Sequence, residues 1–198
     1  MRFHELIQSL EGWGVRAREV LFSNPFLEVH RVSMVSPSRS EPFEWTVCHR
    51  KAGVCVVPRT QEGKFVLIRQ ERVPVQRALW EFPAGQIDES SGHSQDLVIE
   101  TGMRELREEA GYELQPGGAV EPLHFFHSSA GFSDEHCYMV LARGVRPSAA
   151  GAHADAGEMI LEVREFSPDE LRSLVTSGEI RDANTLCSLA HLAARGEW

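Results

Sequence analysis

Three glutamates, Glu105, Glu108 and Glu109, stand three and four positions apart in the run Arg104-Glu105-Leu106-Arg107-Glu108-Glu109-Ala110. On a helix such spacing brings side chains to one side, with carboxylates on adjacent turns. Like charges held so close repel one another unless a cation sits among them. A set of hard oxygen donors suits Mg²⁺ or Mn²⁺ better than zinc. The spacing alone also allows a solvated acidic face, in which Arg104 and Arg107 are ordinary surface charges.

The helix that would carry these groups is predicted over 96–110, where Ile99, Met103, Leu106 and Ala110 recur at helical steps as an apolar stripe. Glu105 lies ~200° of helical rotation beyond Met103, so the carboxylates point away from that stripe. Gly111 is placed to cap the helix in the left-handed conformation, while Gly102 weakens the prediction slightly. The polar, turn-rich stretch 86–95 reads as an exposed loop. Strands are expected at 15–22 and 26–35, parted by Pro25, then at 43–50 after a polar turn over 36–42. Further strands are expected at 53–57, 65–69, 79–82, 122–127, 136–142 and 160–166. Ser167-Pro168-Asp169-Glu170 carries a capping Ser, Pro at the first helical position and Glu three residues after the cap; Gly178 ends that helix. A last helix is predicted over 182–195, and 4–10 suggests a short one.

The chain of 198 residues carries 20 Lys+Arg against 29 Asp+Glu, a formal net charge of −9. That balance argues against nucleic acid as a partner, since duplex binding rests on a basic surface. A hydrophobic content of 42% and charged content of 25% are those of a globular protein rather than a disordered one. No apolar stretch is long enough to span a membrane, and the first residues lack the apolar core of a signal peptide, so a cytoplasmic location is expected. Cys48, Cys55, Cys137 and Cys187 are scattered, which fits reduced thiols rather than a disulfide framework or a zinc site.

Gly85 together with Arg104-Glu105-Leu106-Arg107-Glu108-Glu109-Ala110-Gly111-Tyr112 resembles the Nudix box, whose second half is Arg-Glu-apolar-x-Glu-Glu-x-Gly-apolar. The second half matches at every specified position. The first half departs: the loop between Gly85 and Arg104 is longer than in the family pattern, and Asp96 stands where that pattern has Glu. The resemblance implies an α+β fold, the α/β/α Nudix fold, with a mixed sheet between helices. It implies Glu105 and Glu109 as metal ligands, Glu108 as a ligand or holder of metal-bound water, Arg104 as an ion-pair orienter of the glutamates, and the Ala84 carbonyl as a further ligand. Divalent ions so held would neutralise phosphate oxygens, polarise phosphorus and help deprotonate water near neutral pH.

Beyond the box, Arg69-Gln70-Glu71-Arg72 with Glu81-Phe82-Pro83-Ala84-Gly85-Gln86-Ile87-Asp88, then Gly131-Phe132-Ser133-Asp134-Glu135, then Gly178-Glu179-Ile180-Arg181-Asp182-Ala183-Asn184-Thr185 resemble the ADP-ribose and ADP-sugar pyrophosphatase branch. Ala130 and Asn184 replace that branch's Pro and Lys. The resemblance implies a metal-dependent pyrophosphatase that releases a nucleoside monophosphate and a sugar phosphate. Glu158 is implied as the general base, with Asp155 and Glu135 behind it. Trp45, Arg72 and Glu81 are implied as substrate contacts, Trp45 as a platform for adenine and Arg72 as a donor fork. Residues 1–50 would form a β-rich appendage that pairs two copies into a homodimer, and 51–198 the hydrolase domain. The alternatives are the same chemistry on GDP-mannose or dinucleoside polyphosphates, and a nucleotide sensor without catalysis.

Overall fold

Alternation with period two is written into the central strands and decides the architecture. In β4 (Gly53–Thr60) and β5 (Phe65–Arg72), Val54, Val56, Val66 and Ile68 belong to one buried cluster, whereas Cys55, Val57, Phe65 and Leu67 belong to another. A strand whose two faces are both buried must lie between two layers. In the computed structural model, which describes residues 11–88, 93–154 and 157–198, those layers are helical. Helix α1 (Gln95–Ala110) contributes Val98, Leu106 and Ala110 to the first cluster. Helices α2 (Pro168–Thr176) and α3 (Ala183–Ala194) contribute Leu171, Leu189 and Leu192 to the second.

The central sheet has seven strands. Its path runs β10 (Ile160–Phe166), β5, β4, β9 (His136–Pro147), β8 (Tyr112–His127), with β6 (Arg77–Glu81) paired to β5 and β7 (Ala84–Gln86) to β4. All pairings are antiparallel except β4 with β9, so the sheet is mixed as expected. A separate antiparallel sheet of β1 (Gly14–Ser23), β2 (Leu27–Ser36) and β3 (Arg39–Arg50) precedes it. It touches the main body where the Cys48 N–H donates to the Phe132 carbonyl (2.8 Å) and the Asp134 N–H to the Cys48 carbonyl (3.3 Å). No described helix is long and apolar enough to cross a membrane.

Local signals set the helix ends. Ser94 caps α1 by accepting the Leu97 N–H, Gly111 takes φ 68° at its C-terminus, and Ser167 with Glu170 forms a complete capping box on α2. Two elements outrun expectation. β8 begins at Tyr112 rather than near 122, because Gly117 (φ 83°) lets the strand bulge between Leu114 and Ala119 and resume pairing with β9. β3 begins at Arg39, absorbing most of the expected 36–42 turn. The helix expected at 4–10 lies outside the described residues.

Gly102 proves to be a packing requirement rather than a flaw in α1. A Cβ there would stand 2.8 Å from Val56 Cγ2 and 3.2 Å from Val140 Cγ2, so the missing side chain lets the helix settle onto β4 and β9. Gly102→Val is therefore expected to lower stability by about 1–3 kcal/mol through overpacking, read as a lower denaturation midpoint with unchanged m-value.

Candidate active site

Helix α1 presents its acidic side to the edge formed by Pro83, Ala84 and Gly85. Glu109 is 1% exposed, and its Oε2 accepts the Ala84 N–H at 2.8 Å. Glu105 lies over Gly85, where a Cβ would come within 2.0 Å of Glu105 Oε1. Only glycine at 85 leaves room for that carboxylate. Arg104 holds the cluster from outside, Nη2 donating to Glu105 Oε1 (2.6 Å) and Nη1 to Glu108 Oε2 (2.7 Å).

From the segment before β10, Glu158 joins them: Glu105, Glu109 and Glu158 each place a carboxylate oxygen within 4.8 Å of the other two. Three hard oxygens at that spacing, two of them on buried side chains, fit a divalent cation of the Mg²⁺ or Mn²⁺ type. Burial raises the Glu109 carboxyl to about 8, with Glu158 and Glu105 adding to the rise against the Ala84 N–H. Burial likewise raises Glu105 to about 7, opposed by Arg104. Without a cation, charge at this spot is costly.

A cleft of about 650 Å³ opens in front of the cluster. Arg50, Lys51, Arg72 and Arg104 bring positive charge to its wall; Glu105, Glu135, Glu158 and Asp182 bring negative charge. Arg72 is fixed from behind: its Nε donates to both carboxylate oxygens of Glu81 (3.0 Å each) and its Nη2 to Oε2 (2.5 Å). Glu81 is 1% exposed and does not line the cleft, so its contact is Arg72. Asp182, at the N-cap of α3, accepts the Thr185 N–H and hydroxyl; Thr185 Oγ1 in turn accepts the Phe82 N–H at 2.9 Å, tying the helix start to the chain just after β6.

The structure thus brings Ala84, Glu105, Glu109, Glu158, Arg72 and Arg104 to one place. Glu108 stands one step out, on Arg104, and Glu135 is engaged by Arg50 Nη1 at 3.1 Å. Trp45 is half-exposed on β3, its indole N–H donating to the Gly131 carbonyl (3.2 Å), and does not line the cleft of the single chain. Asp155 lies outside the described residues. Arg50, Lys51 and Asp182 line the cleft without having been singled out; only the Asp182-Ala183-Asn184-Thr185 string hinted at the last of them.

Residues 49–189 match the family model for the NUDIX domain. This chain is a Nudix hydrolase. An ADP-ribose pyrophosphatase of Bacillus subtilis (strain 168) is 30% identical over 176 residues, covering 89% of this chain and 90% of the relative. A methanol dehydrogenase activator of Bacillus methanolicus is 28% identical over 88% of this chain and 89% of its own length. An ADP-ribose pyrophosphatase of Mycobacterium tuberculosis (strain ATCC 25618 / H37Rv) is 33% identical over 54% of this chain and 49% of its own. Among solved structures, that of an ADP compounds hydrolase superposes with a TM-score of 0.72 at 18% identity, covering 96% of this chain and 100% of the other, and so shares the Nudix fold.

The raised carboxyls fix the sign of a pH effect. Between the ordinary value of 4.5 and about 8, the folded metal-free Nudix chain holds protons on Glu105 and Glu109 that the unfolded chain has released. Stability of the metal-free protein therefore falls as pH rises through that window. Glu109→Gln, which keeps an acceptor for Ala84, is expected to raise the melting temperature of metal-free protein near pH 8, to change it little near pH 5, and to shrink the upward shift produced by Mg²⁺. A variant that melts below wild type near pH 8 would contradict the assignment.

Proposed function

We propose that this chain hydrolyses the pyrophosphate bond of ADP-ribose to AMP and ribose 5-phosphate, with Mg²⁺ as the working ion and Mn²⁺ as a substitute. The observation that carries this reading is the cluster of Glu105, Glu109 and Glu158, two of which, Glu105 and Glu158, line the same cleft as Arg50, Lys51 and Arg72. The names of two relatives support ADP-ribose as the substrate. A divalent cation in the carboxylate cluster supplies charge neutralisation at phosphorus and eases deprotonation of water.

The remaining work falls to the chain. Glu105 and Glu109 are pre-set for the ion, one by the space over Gly85 and the other by the Ala84 N–H. We assign the Ala84 carbonyl as a further ligand. Arg104 holds Glu105 and Glu108 in register, and Glu108 accepts from water at the rim of the cluster. Glu158, on a segment outside the helix, brings one carboxylate oxygen to the cluster and takes the proton of the attacking water on the other. Arg72, its guanidinium oriented by Glu81, donates to substrate phosphate oxygens, where a planar fork outperforms an ammonium.

Two copies of the chain are proposed to pair through the N-terminal sheet. Val15, Val20, Leu21, Phe22 and Phe26 are exposed there or beside it, an apolar surface that pairing would cover. Phe26 also lines the cleft, so the paired sheet would border the substrate, and Trp45 would stack on adenine from the partner copy. The site of action is proposed to be the cytoplasm.

Products and rates across a panel of nucleoside diphosphate sugars test the assignment. ADP-ribose with Mg²⁺ is expected to give AMP at the highest kcat/KM, and absence of AMP would sink it. Gly85→Ala should lower kcat on the order of 10²-fold at temperatures well below the variant's own melting transition, because the added methyl displaces Glu105. Arg72→Lys, which keeps a cation beside Glu81 but loses the fork, should raise KM about tenfold with a smaller effect on kcat.

A further inference from the structure

A second cavity of about 390 Å³ lies between the β5–β6 pair and the segment joining α2 to α3, and it plays no part in the chemistry above. Three arginines, Arg69, Arg77 and Arg181, line it, with Trp80, Gly178 and Glu179. Their positions follow from the fold. Arg69 and Trp80 are opposite residues of the β5–β6 pairing, Arg77 opens β6, and Arg181 follows the left-handed Gly178 (φ 74°) in the α2–α3 link.

Their common placing around one concavity sets these arginines apart. Arg31, Arg50, Arg72, Arg104, Arg143, Arg146, Arg164, Arg172 and Arg195 each sit within salt-bridge distance of a carboxylate. Eight described arginines have no ion-pair partner among the described residues, and three of those eight, Arg69, Arg77 and Arg181, meet at this one cavity. Arg181 spends its Nε on the Gly178 carbonyl (2.5 Å), which orients the guanidinium without neutralising it. Glu179, the one carboxylate in the wall, accepts the Ser177 hydroxyl at 3.2 Å. Three guanidinium groups around one concavity repel one another until an anion sits between them, and phosphate oxygens match their donor geometry. The volume falls in the range of pockets that take small molecules rather than single ions, about 300–1,000 Å³.

We propose that this cavity is a second, non-catalytic binding site for a small phosphorylated anion carrying two or more phosphoryl charges. It shares a segment with the active site: Ser177, Gly178, Glu179 and Arg181 line this cavity, and the next residues, Asp182, Ala183 and Asn184, line the catalytic cleft. An occupant would therefore brace the stretch of chain that carries Asp182.

Calorimetric titration of the metal-free, full-length protein with inorganic pyrophosphate tests the proposal. Wild type and Arg72→Lys, altered only in the catalytic cleft, are expected to bind it with the same affinity. Arg77→Ala and Arg69→Ala, both at exposed positions, should each weaken it about tenfold, while keeping the wild-type melting temperature and basal hydrolysis. Arg181→Ala should weaken it as well, and Arg77→Lys should restore part of the loss. Pyrophosphate binding that is unchanged in Arg69→Ala and Arg77→Ala, or lost only in Arg72→Lys, would overturn the proposal, as would the absence of binding to wild type.

Discussion

Everything at the active site depends on how closely α1 approaches the Ala84–Gln86 strand. The carboxylates of Glu105 and Glu109 are not simply displayed on a helix: one occupies the space that a side chain at 85 would fill, and the other takes the only N–H that Ala84 has to give. That approach needs a helix able to sink onto the sheet, which Gly102 permits, and a strand able to meet it without bulk, which Gly85 permits. Two glycines on different elements thus set one distance. The cost of the arrangement is visible in the raised carboxyls, since burial penalises the charged form of both glutamates.

The same logic of supports behind actors recurs around the cleft. Glu81 is buried to hold Arg72, Asp182 holds Thr185, and Thr185 holds the buried Phe82 amide. Arginine long enough to reach a phosphate is also long enough to wander, and a buried bidentate partner removes that freedom. The N-terminal sheet joins the arrangement through backbone hydrogen bonds at Cys48 and the ion pair of Arg50 with Glu135, so the loop that carries Ser128 and Glu135 is steadied from both sides.

What the sequence made legible was local. The helix 96–110 and its carboxylates announce themselves through period, cap and terminator, all within one stretch of chain, and the capping box of α2 is equally self-contained. The alternating strands and the mixed sheet follow from patterning that two helical layers require. The start of β8 was hidden because Gln115-Pro116-Gly117-Gly118 has turn chemistry and only the partner strand makes it a bulge. Gly102 was misjudged because propensity weighs a residue against solvent, whereas its value lies in what Val56 and Val140 do across the interface. Glu81 was expected to meet substrate, but its burial and its link to Arg72 depend on how the β5–β6 hairpin folds over. Placement of Glu158 rested on resemblance alone, since no local pattern says that a loop after β9 returns to α1.

The parallel pairing of β4 with β9 has a consequence for how the molecule comes into being. Its partners, such as Cys55 and Met139, are far apart in the chain, and the whole of α1 is contained between them. Closing that loop costs more chain entropy than closing any of the hairpins, before the contacts across it form. On the ribosome, β1, β2 and β3 can pair as neighbours as soon as they emerge, whereas the acidic helix has no finished sheet to settle on until β9 has been made. Order of synthesis thus leaves the carboxylate cluster waiting on β9 and on Glu158, which follows it, before its three members can meet.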